Sequence, residues 1–414
     1  MDDREAREIL ERFGTFADQF SGCFSRRPQR EAASRYLDGL FNDSERKSMQ
    51  AMHGRLSDPA SYQAMQHFVT HSPWEAESVW TRLRAVVPVR TGILAVDDTG
   101  LPKQGRHSVG VQRQYCGALG KIGNCQVAVS TVLVGERVAW PLTFELYLPQ
   151  TWAADDERRT RAGIPEWLRF REKWRIALSH VRRVLKAGFT ITAVVADADY
   201  GSTAAFRRGL EQLGLRYGVA IRGCVTVWID GASRALPVSD VVTAVPETAW
   251  KHVEWATGTK GPLAARFVAY RVRPAKSRGA RWLLCERGLV TDERKYYLLN
   301  LDETASLLDL VTVARSRWPI EQQYRELKDE LGFDHFEGRR YRGWTHHAVL
   351  TAMAFTFLQL ERQRDAAAAR PTLPTVHRPN VKWSAGTGVY ESRTLALIRT
   401  PTWKEETNSS DESA

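Results

Sequence analysis

Three short segments carry acids where acids could do chemistry. At Val96-Asp97-Asp98-Thr99-Gly100 and at Ala196-Asp197-Ala198-Asp199-Tyr200-Gly201, an apolar run leads straight into carboxylates. A buried strand with that ending sets its acid at the carboxyl edge of a sheet, where open α/β sheets build their sites. In the third segment, residues 316–332 (SRWPIEQQYRELKDELG), Ile320, Tyr324, Leu327 and Leu331 fall at helical spacing, and Glu321, Arg325 and Lys328 follow one position along. A carboxylate and two cations then share a face beside the apolar stripe. The first and third segments also have a plainer reading. Asp97 and Asp98 can open a turn, and the charges on the helix can form an exposed salt-bridge ladder. Taken together, acids from two strand ends and one helix can converge into an oxygen-rich pocket. Hard Mg²⁺ takes a few carboxylates and leaves its other positions to water and phosphate. Two such ions about 4 Å apart would serve the attacking and leaving oxygens of an in-line phosphodiester displacement.

The elements that must position these acids are legible from patterning. Residues 92–97, 126–134 and 137–148 read as strands, 166–186 as a long helix, 190–197 as a buried strand, 202–213 as a helix and 296–301 as a late strand. That order predicts a mixed α/β sheet flanked by helices. Pro319 suits the first turn of the acid-bearing helix and Gly332 its stop. Residues 1–88 read as a helical N-terminal domain, with Ile9, Leu10, Phe13, Phe16 and Phe20 near helical spacing and Ser72-Pro73-Trp74-Glu75 as a capping box. Residues 89–215 and 295–362 form the two parts of an α/β core. Between them, residues 216–294 break into short β-like segments with turns at Asp230-Gly231, Gly258 and Gly279, a β-rich insertion. Residues 363–414 hold an Ala run, scattered Pro and a polar end, and read as a linker-like tail.

Charge points to the partner. Fifty-nine Lys and Arg stand against 48 Asp and Glu, a net of +11 with a pI near 9.5, which favours a polyanion. The first 88 residues are nearly balanced, twelve cations against thirteen acids, so the surplus lies in the remainder. Residues 260–281 hold seven cations and no acid, with Phe267 and Tyr270 interleaved. That composition suits a surface tracking a phosphate backbone, through Lys260, Arg271, Arg273, Lys276, Arg278 and Arg281. A solvated hairpin is the alternative. Arg26-Arg27-Pro28-Gln29-Arg30 is a weaker DNA-contact candidate. Five cysteines without a CxxC give neither a disulfide framework nor a thiolate zinc site and fit a reducing cytoplasm. The N-terminus lacks the basic-then-apolar order of a leader. The longest apolar stretch, residues 348–360, falls short of the roughly 20 residues that span a bilayer. A cytoplasmic protein with no membrane partner is expected. His346-His347, beside Trp344, reads as packing and not as a ligand pair.

These residues resemble a known family, the DDE transposases of bacterial insertion sequences, in the branch whose RNase H-like core is interrupted by a β-rich insertion. The marks are AVDDTGLPKQG for the first acid, ADADYG with its Asp-x-x-Tyr spacing for the second, and RWPIEQQYRELK for the Glu. The resemblance spans residues 10–360. It implies Asp97, Asp197 and Glu321, 100 and 124 positions apart, as metal-binding catalytic residues. It implies two Mg²⁺ ions as cofactors, with Mn²⁺ as a substitute. Arg317 and Lys328 match the branch signature and would contact phosphates near the cleaved end, with Arg325 beside them. The signature's Tyr position is Ala314 here. The implied activity is recognition of terminal inverted repeats, metal-dependent cleavage and strand transfer, by a homodimer in a synaptic complex with element ends and target DNA, in the bacterial cytoplasm at the nucleoid. Asp199, two residues past Asp197, would point to the same side of an extended strand, and the Asp-x-x-Tyr spacing selects Asp197. Two other classes stand as alternatives. A transposase-derived repressor or architectural protein would bind DNA without cutting it, which three intact acids argue against. A glycosidase with paired carboxylates is disfavoured by the acid-free basic stretch.

Overall fold

The computed structural model describes residues 3–368 apart from 43, 58, 136–137, 259–260 and 278. Lys260, Arg278 and nearly all of the expected tail lie outside them. The chain opens with five helices, α1 (Asp3–Asp18), α2 (Arg27–Phe41), α3 (Met49–His53), α4 (Tyr62–Thr70) and α5 (Ala76–Val86). Strands β1 (Thr91–Pro102), β2 (Gln112–Cys116), β3 (Lys121–Val134) and β4 (Ala139–Leu146) follow, then helices α6 (Gln150–Ala153), α7 (Asp156–Ala162) and α8 (Lys173–Lys186). Next come β5 (Thr190–Ala196), α9 (Ala198–Gly201), α10 (Ala204–Gln212), β6 (Tyr217–Ile221), β7 (Thr226–Trp228), β8 (Leu236–Pro237) and α11 (Val238–Thr243). The rest are β9 (Lys251–Gly258), β10 (Gly261–Pro274), β11 (Arg281–Arg287), β12 (Arg294–Leu299), α12 (Leu307–Arg315), α13 (Trp318–Asp329) and α14 (Tyr341–Ala368). Among the described residues no helix is long and apolar enough to cross a membrane.

Two compact units emerge, neither continuous in sequence. The first takes residues up to 90, 98–190 and 323 onward; the second takes 91–97 and 191–322. Strand β1 and helix α13 each contribute to both.

In the first unit, β3 pairs antiparallel with β2 and with β4, and α8 packs on β3. Helix α14 packs against β4, α2, α4 and α5, so the N-terminal helices wrap a helix from the far end of the chain. The aromatic stripe read from the sequence supplies that contact: Phe13 is buried and meets Phe41 and Phe357 edge-on. The expected capping box at Ser72 does not form. Helix α5 starts at Ala76, with Glu75 at its N-cap making no side-chain cap. Trp74 instead packs on Phe24, Phe68 and His346 and donates its indole N–H to the Phe68 carbonyl, while Ser72 accepts from Gln29. Burying an indole holds this segment out of the helix. Likewise α8 starts at Lys173 and not at Glu166. Gly163 adopts φ +63°, and the buried Arg159 guanidinium binds the carbonyls of Pro165 and Leu168, which fixes a loop before the helix.

The two histidines are packing groups, as the sequence indicated. His347 is buried, with the Tyr36 hydroxyl at 2.8 Å from Nδ1 and the Phe333 carbonyl at 3.2 Å from Nε2. One neutral tautomer satisfies both, accepting from Tyr36 and donating to Phe333. Burial pushes its pKa down from 6.5 to about 3. A base depressed in the folded state binds fewer protons there than when unfolded, so stability is held above pH 6.5 and lost as pH falls toward 3. The melting temperature is expected to drop steeply across that window, and less steeply in His347→Gln. Parallel profiles for the two proteins would show that His347 does not drive the acid limb.

In the second unit the strand order is β1-β5-β6-β12-β11-β10-β7-β8, with β9 on the other edge of β10. Strands β5 and β6 are parallel, and the β6-β12-β11-β10 pairs are antiparallel. Phe267, read from the sequence as an aromatic interleaved with the cations of a phosphate-tracking surface, is instead fully buried with Leu284, Leu299, Leu310 and Val311 and meets Trp255 edge-on. Alternation along β10 sends the neighbouring, exposed Arg266 to the opposite face, whereas Arg271 and Arg273 lie an even number of residues from Phe267 and share its side. Two strand ends also differ from expectation. Strand β1 continues through both acids to Pro102, and β5 stops at Ala196, so that Asp197 begins a helical turn. Gly201 explains the second. A Cβ there would stand 1.9 Å from the Ala220 carbonyl oxygen, so only glycine lets α9 lie this close on β6.

Candidate active site

The site is built by β1, the turn into α9 and the junction of α12 with α13, and its three acids and its arginine all lie in the second unit. Asp97 is buried on β1. Arg317, between α12 and α13, donates through Nη1 to Asp97 Oδ2 and through Nη2 to Glu321 Oε1, one turn along, the latter at 2.5 Å. Asp197 caps α9, its Oδ1 accepting from the N–H groups of Asp199 at 3.0 Å and Tyr200 at 3.2 Å. Its charge also acts on Arg317. Burial alone would disfavour the guanidinium's charge, but the carboxylates of Asp97, Glu321 and Asp197 outweigh it and drive the pKa above the usual arginine value. The three acids singled out in the sequence are thus the three that act on a single arginine.

Among the described residues no three His, Cys, Asp or Glu side chains are grouped closely enough to hold a metal ion. The acids gather around a planar cation wide enough to keep two of them on separate nitrogens. The strand on which Asp199 would have shared a side with Asp197 ends at Ala196, and Asp199 instead pairs with Arg222, exposed to solvent. Asp98 is held by Lys173 at 2.9 Å. It is a strand residue and not the start of a turn.

The helix charges do not form the ladder that the plainer reading allowed. Glu321 pairs backward with Arg317, Arg325 is exposed, and Lys328 is largely buried. Burial lowers the Lys328 pKa, with Asp334 opposing that shift. At the stop of α13, Gly332 adopts φ +64° and its N–H donates to the Lys328 carbonyl, as read. Of the basic stretch, Arg271 pairs with Glu303 at 3.0 Å and lies over Trp282, Arg273 lies over Trp228, and Lys276 is exposed. Arg281 is tied to Glu211 at 2.7 Å and braces α10 against β11.

Sequence reasoning passed over Lys103 and Lys173. Lys103 is largely buried, donates to the carbonyls of Asp334 and Phe336, and has its pKa lowered by burial to about 8. Its presence within LPKQG, right after the first acid pair, was the available signal. Nothing in the local sequence marks Lys173 as the partner of Asp98.

Comparison with known proteins settles the family. The pattern that defines DDE superfamily endonucleases matches residues 19–262, more than half of the chain. This chain belongs to the DDE superfamily of endonucleases. A transposase DDE domain matches residues 172–357 of the same endonuclease. A probable transposase for insertion sequence element IS701 from Microchaete diplosiphon is 27% identical over 339 residues, 79% of this chain and 80% of that protein. Among solved structures, the piggyBac transposase synaptic complex with hairpin DNA aligns with a TM-score of 0.46 at 11% identity, covering 90% of this chain and 70% of that one. The C-terminal lobe of a budding yeast Argonaute aligns at 0.18 with 10% identity, over 75% of this chain and 57% of that one. The family assignment makes this DDE endonuclease a nuclease of the transposase class.

Proposed function

We propose that the chain binds the terminal inverted repeats of an insertion sequence, cuts the DNA at their ends and joins the freed 3′-OH to target DNA, as a homodimer in the synaptic complex. Asp97, Asp197 and Glu321 are the catalytic acids. One observation carries this reading: a single, partly buried guanidinium collects the charge of three acids from positions 97, 197 and 321. A site that holds a cation among carboxylates is chemically suited to Mg²⁺, because every donor is a hard oxygen. Mg²⁺ bound there would lower the pKa of an attacking water or hydroxyl and stabilise the leaving oxygen.

The chain's own residues do the rest. The backbone N–H groups of α9 hold the Asp197 carboxylate in one orientation, and β1 holds Asp97 in a strand buried on both sides. Arg317 supplies fixed positive charge beside the acids, where a scissile phosphate would also be drawn. An RNase H-like core is favoured by the chain order of strands β1, β3 and β4, helix α8, strand β5, helix α10 and strand β6, with β5 and β6 parallel. Strands β7 to β11 then form the insertion between the second and third acids, and residues 1–88 contribute to DNA binding. Arg273 and Lys276, with Arg325 and Lys328 on the acid-bearing helix, are proposed DNA contacts.

The test is strand cleavage of a labelled duplex carrying the element's ends. Cutting is expected in Mg²⁺ or Mn²⁺ and not in EDTA. Binding without cutting in either metal would make the chain a non-cutting DNA-binding protein. Cutting that persists in EDTA would overturn the metal assignment.

A further inference from the structure

The β2–β3 hairpin presents an unusual surface. Tyr115 and Ile122 are register partners, so their side chains stand side by side on one face, and they are 65% and 60% exposed. Arg113, two residues before Tyr115, shares that face and is exposed. Lys121, also exposed, opens β3 at the turn and, as the register partner of Cys116, projects from the hairpin tip on the other side. The opposite face is anchored, since Cys116 and Cys125 are fully buried. The shape of the tip is fixed as well. Leu119 folds back so closely that a Cβ on Gly123 would stand 2.6 Å from its Cδ1, and Gly120 takes φ +61° in the turn. At its base, a Cβ on Gly100 would stand 2.6 Å from Cys116 Sγ, which wedges the hairpin against the end of β1.

Charge selects the occupant of this face. From Thr99 to Gly135 the chain has no Asp or Glu, and among the described residues neither Arg113 nor Lys121 is engaged by a carboxylate. Arg271 and Arg281, by contrast, are already paired with acids. An aromatic and a branched aliphatic side chain, rigidly held, with Arg113 on the same face and Lys121 at the adjoining tip, match what proteins insert against duplex DNA: an apolar wedge at the base edges with cations on the neighbouring phosphates.

We propose that this hairpin tip is a duplex-DNA contact, Tyr115 and Ile122 forming the wedge and Arg113 and Lys121 the phosphate clamps. The inference rests on the DNA reading of the preceding section and adds a contact surface outside the acid site. Duplex binding is measured by fluorescence anisotropy across a salt series, with a labelled fragment carrying the element's ends, for the full chain and two double variants. Arg113→Gln with Lys121→Gln should reduce the slope of log K against log salt by about 1.8, two phosphate contacts' worth. Tyr115→Ser with Ile122→Ser should weaken binding about tenfold or more at an unchanged slope. All four side chains are exposed, so both variants should melt as the parent does. Parent binding matched by both variants overturns the hairpin contact alone, whereas a parent that binds no duplex overturns the DNA reading itself. A Tyr115/Ile122 variant that binds DNA normally but loses self-association in sedimentation would assign the tip to a second copy and overturn the proposal.

Discussion

Glu321→Gln and Asp97→Asn are each expected to lower DNA cleavage by roughly 10²–10³-fold or more, the scale on which losing one preorganised charge in an active site acts. Both substitutions keep the shape of the side chain and remove only its charge. Glutamine and asparagine are poor ligands for Mg²⁺, and neither can balance Arg317 as a carboxylate does. Binding of the DNA fragment should stay near the parent level, because the acids contribute repulsion, not attraction, to a polyanion. The Glu321 carboxylate is half-exposed, so its substitution should barely move the melting temperature. Asp97 is buried, and Asp97→Asn should cost more, because Arg317 then faces an amide in place of a charge. Cleavage at the parent rate by Glu321→Gln would remove Glu321 from the catalytic set, whatever its place beside Arg317.

The acids were legible because chemistry and burial conflict at their positions. Apolar runs such as GILAV and TITAVVA have no reason to finish in carboxylates unless something requires charge there. The helix that carries Glu321 was equally legible, since Ile320, Tyr324, Leu327 and Leu331 are all buried on one stripe. Strand ends were less so. Nothing local says that β1 should run past two acids, and the long-range β2–β3 hairpin that supports its extension cannot be read from residues 98–102. The cap at Asp197 required Gly201 to fit against β6, a tertiary contact with no sequence period. The division into consecutive segments also differs in kind from the two compact units, because α14 at one end of the chain buries its apolar face against helices from the other. Among the cations, composition marked residues 260–281 but could not say which side chains were already spent: Arg281 is committed to Glu211, and Arg271 to Glu303.

Arg317→Ala is expected to destabilise the protein, and added divalent cation to restore much of the loss. The guanidinium binds two carboxylates and is acted on by a third, so truncating it removes one counter-charge from the buried Asp97, which sits among like charges. Breaking a fully buried ion pair from one side costs about 3–5 kcal/mol. Glu321 is half-exposed and water can take up part of its charge, which reduces the expected cost here to about 1–3 kcal/mol. That loss corresponds to a fall in melting temperature of roughly 2–4 °C per kcal/mol for a unit of this size. Mg²⁺ or Mn²⁺ can supply the missing charge to the same oxygens, so the melting temperature should rise further on metal addition in Arg317→Ala than in the parent, where the guanidinium competes for the carboxylates. Arg317→Lys should fall between the two, because an ammonium restores the charge but cannot span two carboxylates with separate nitrogens. An equal metal response in all three proteins would mean that the guanidinium and the ion do not share these oxygens. Arg317 would then act on the DNA alone, as a phosphate contact.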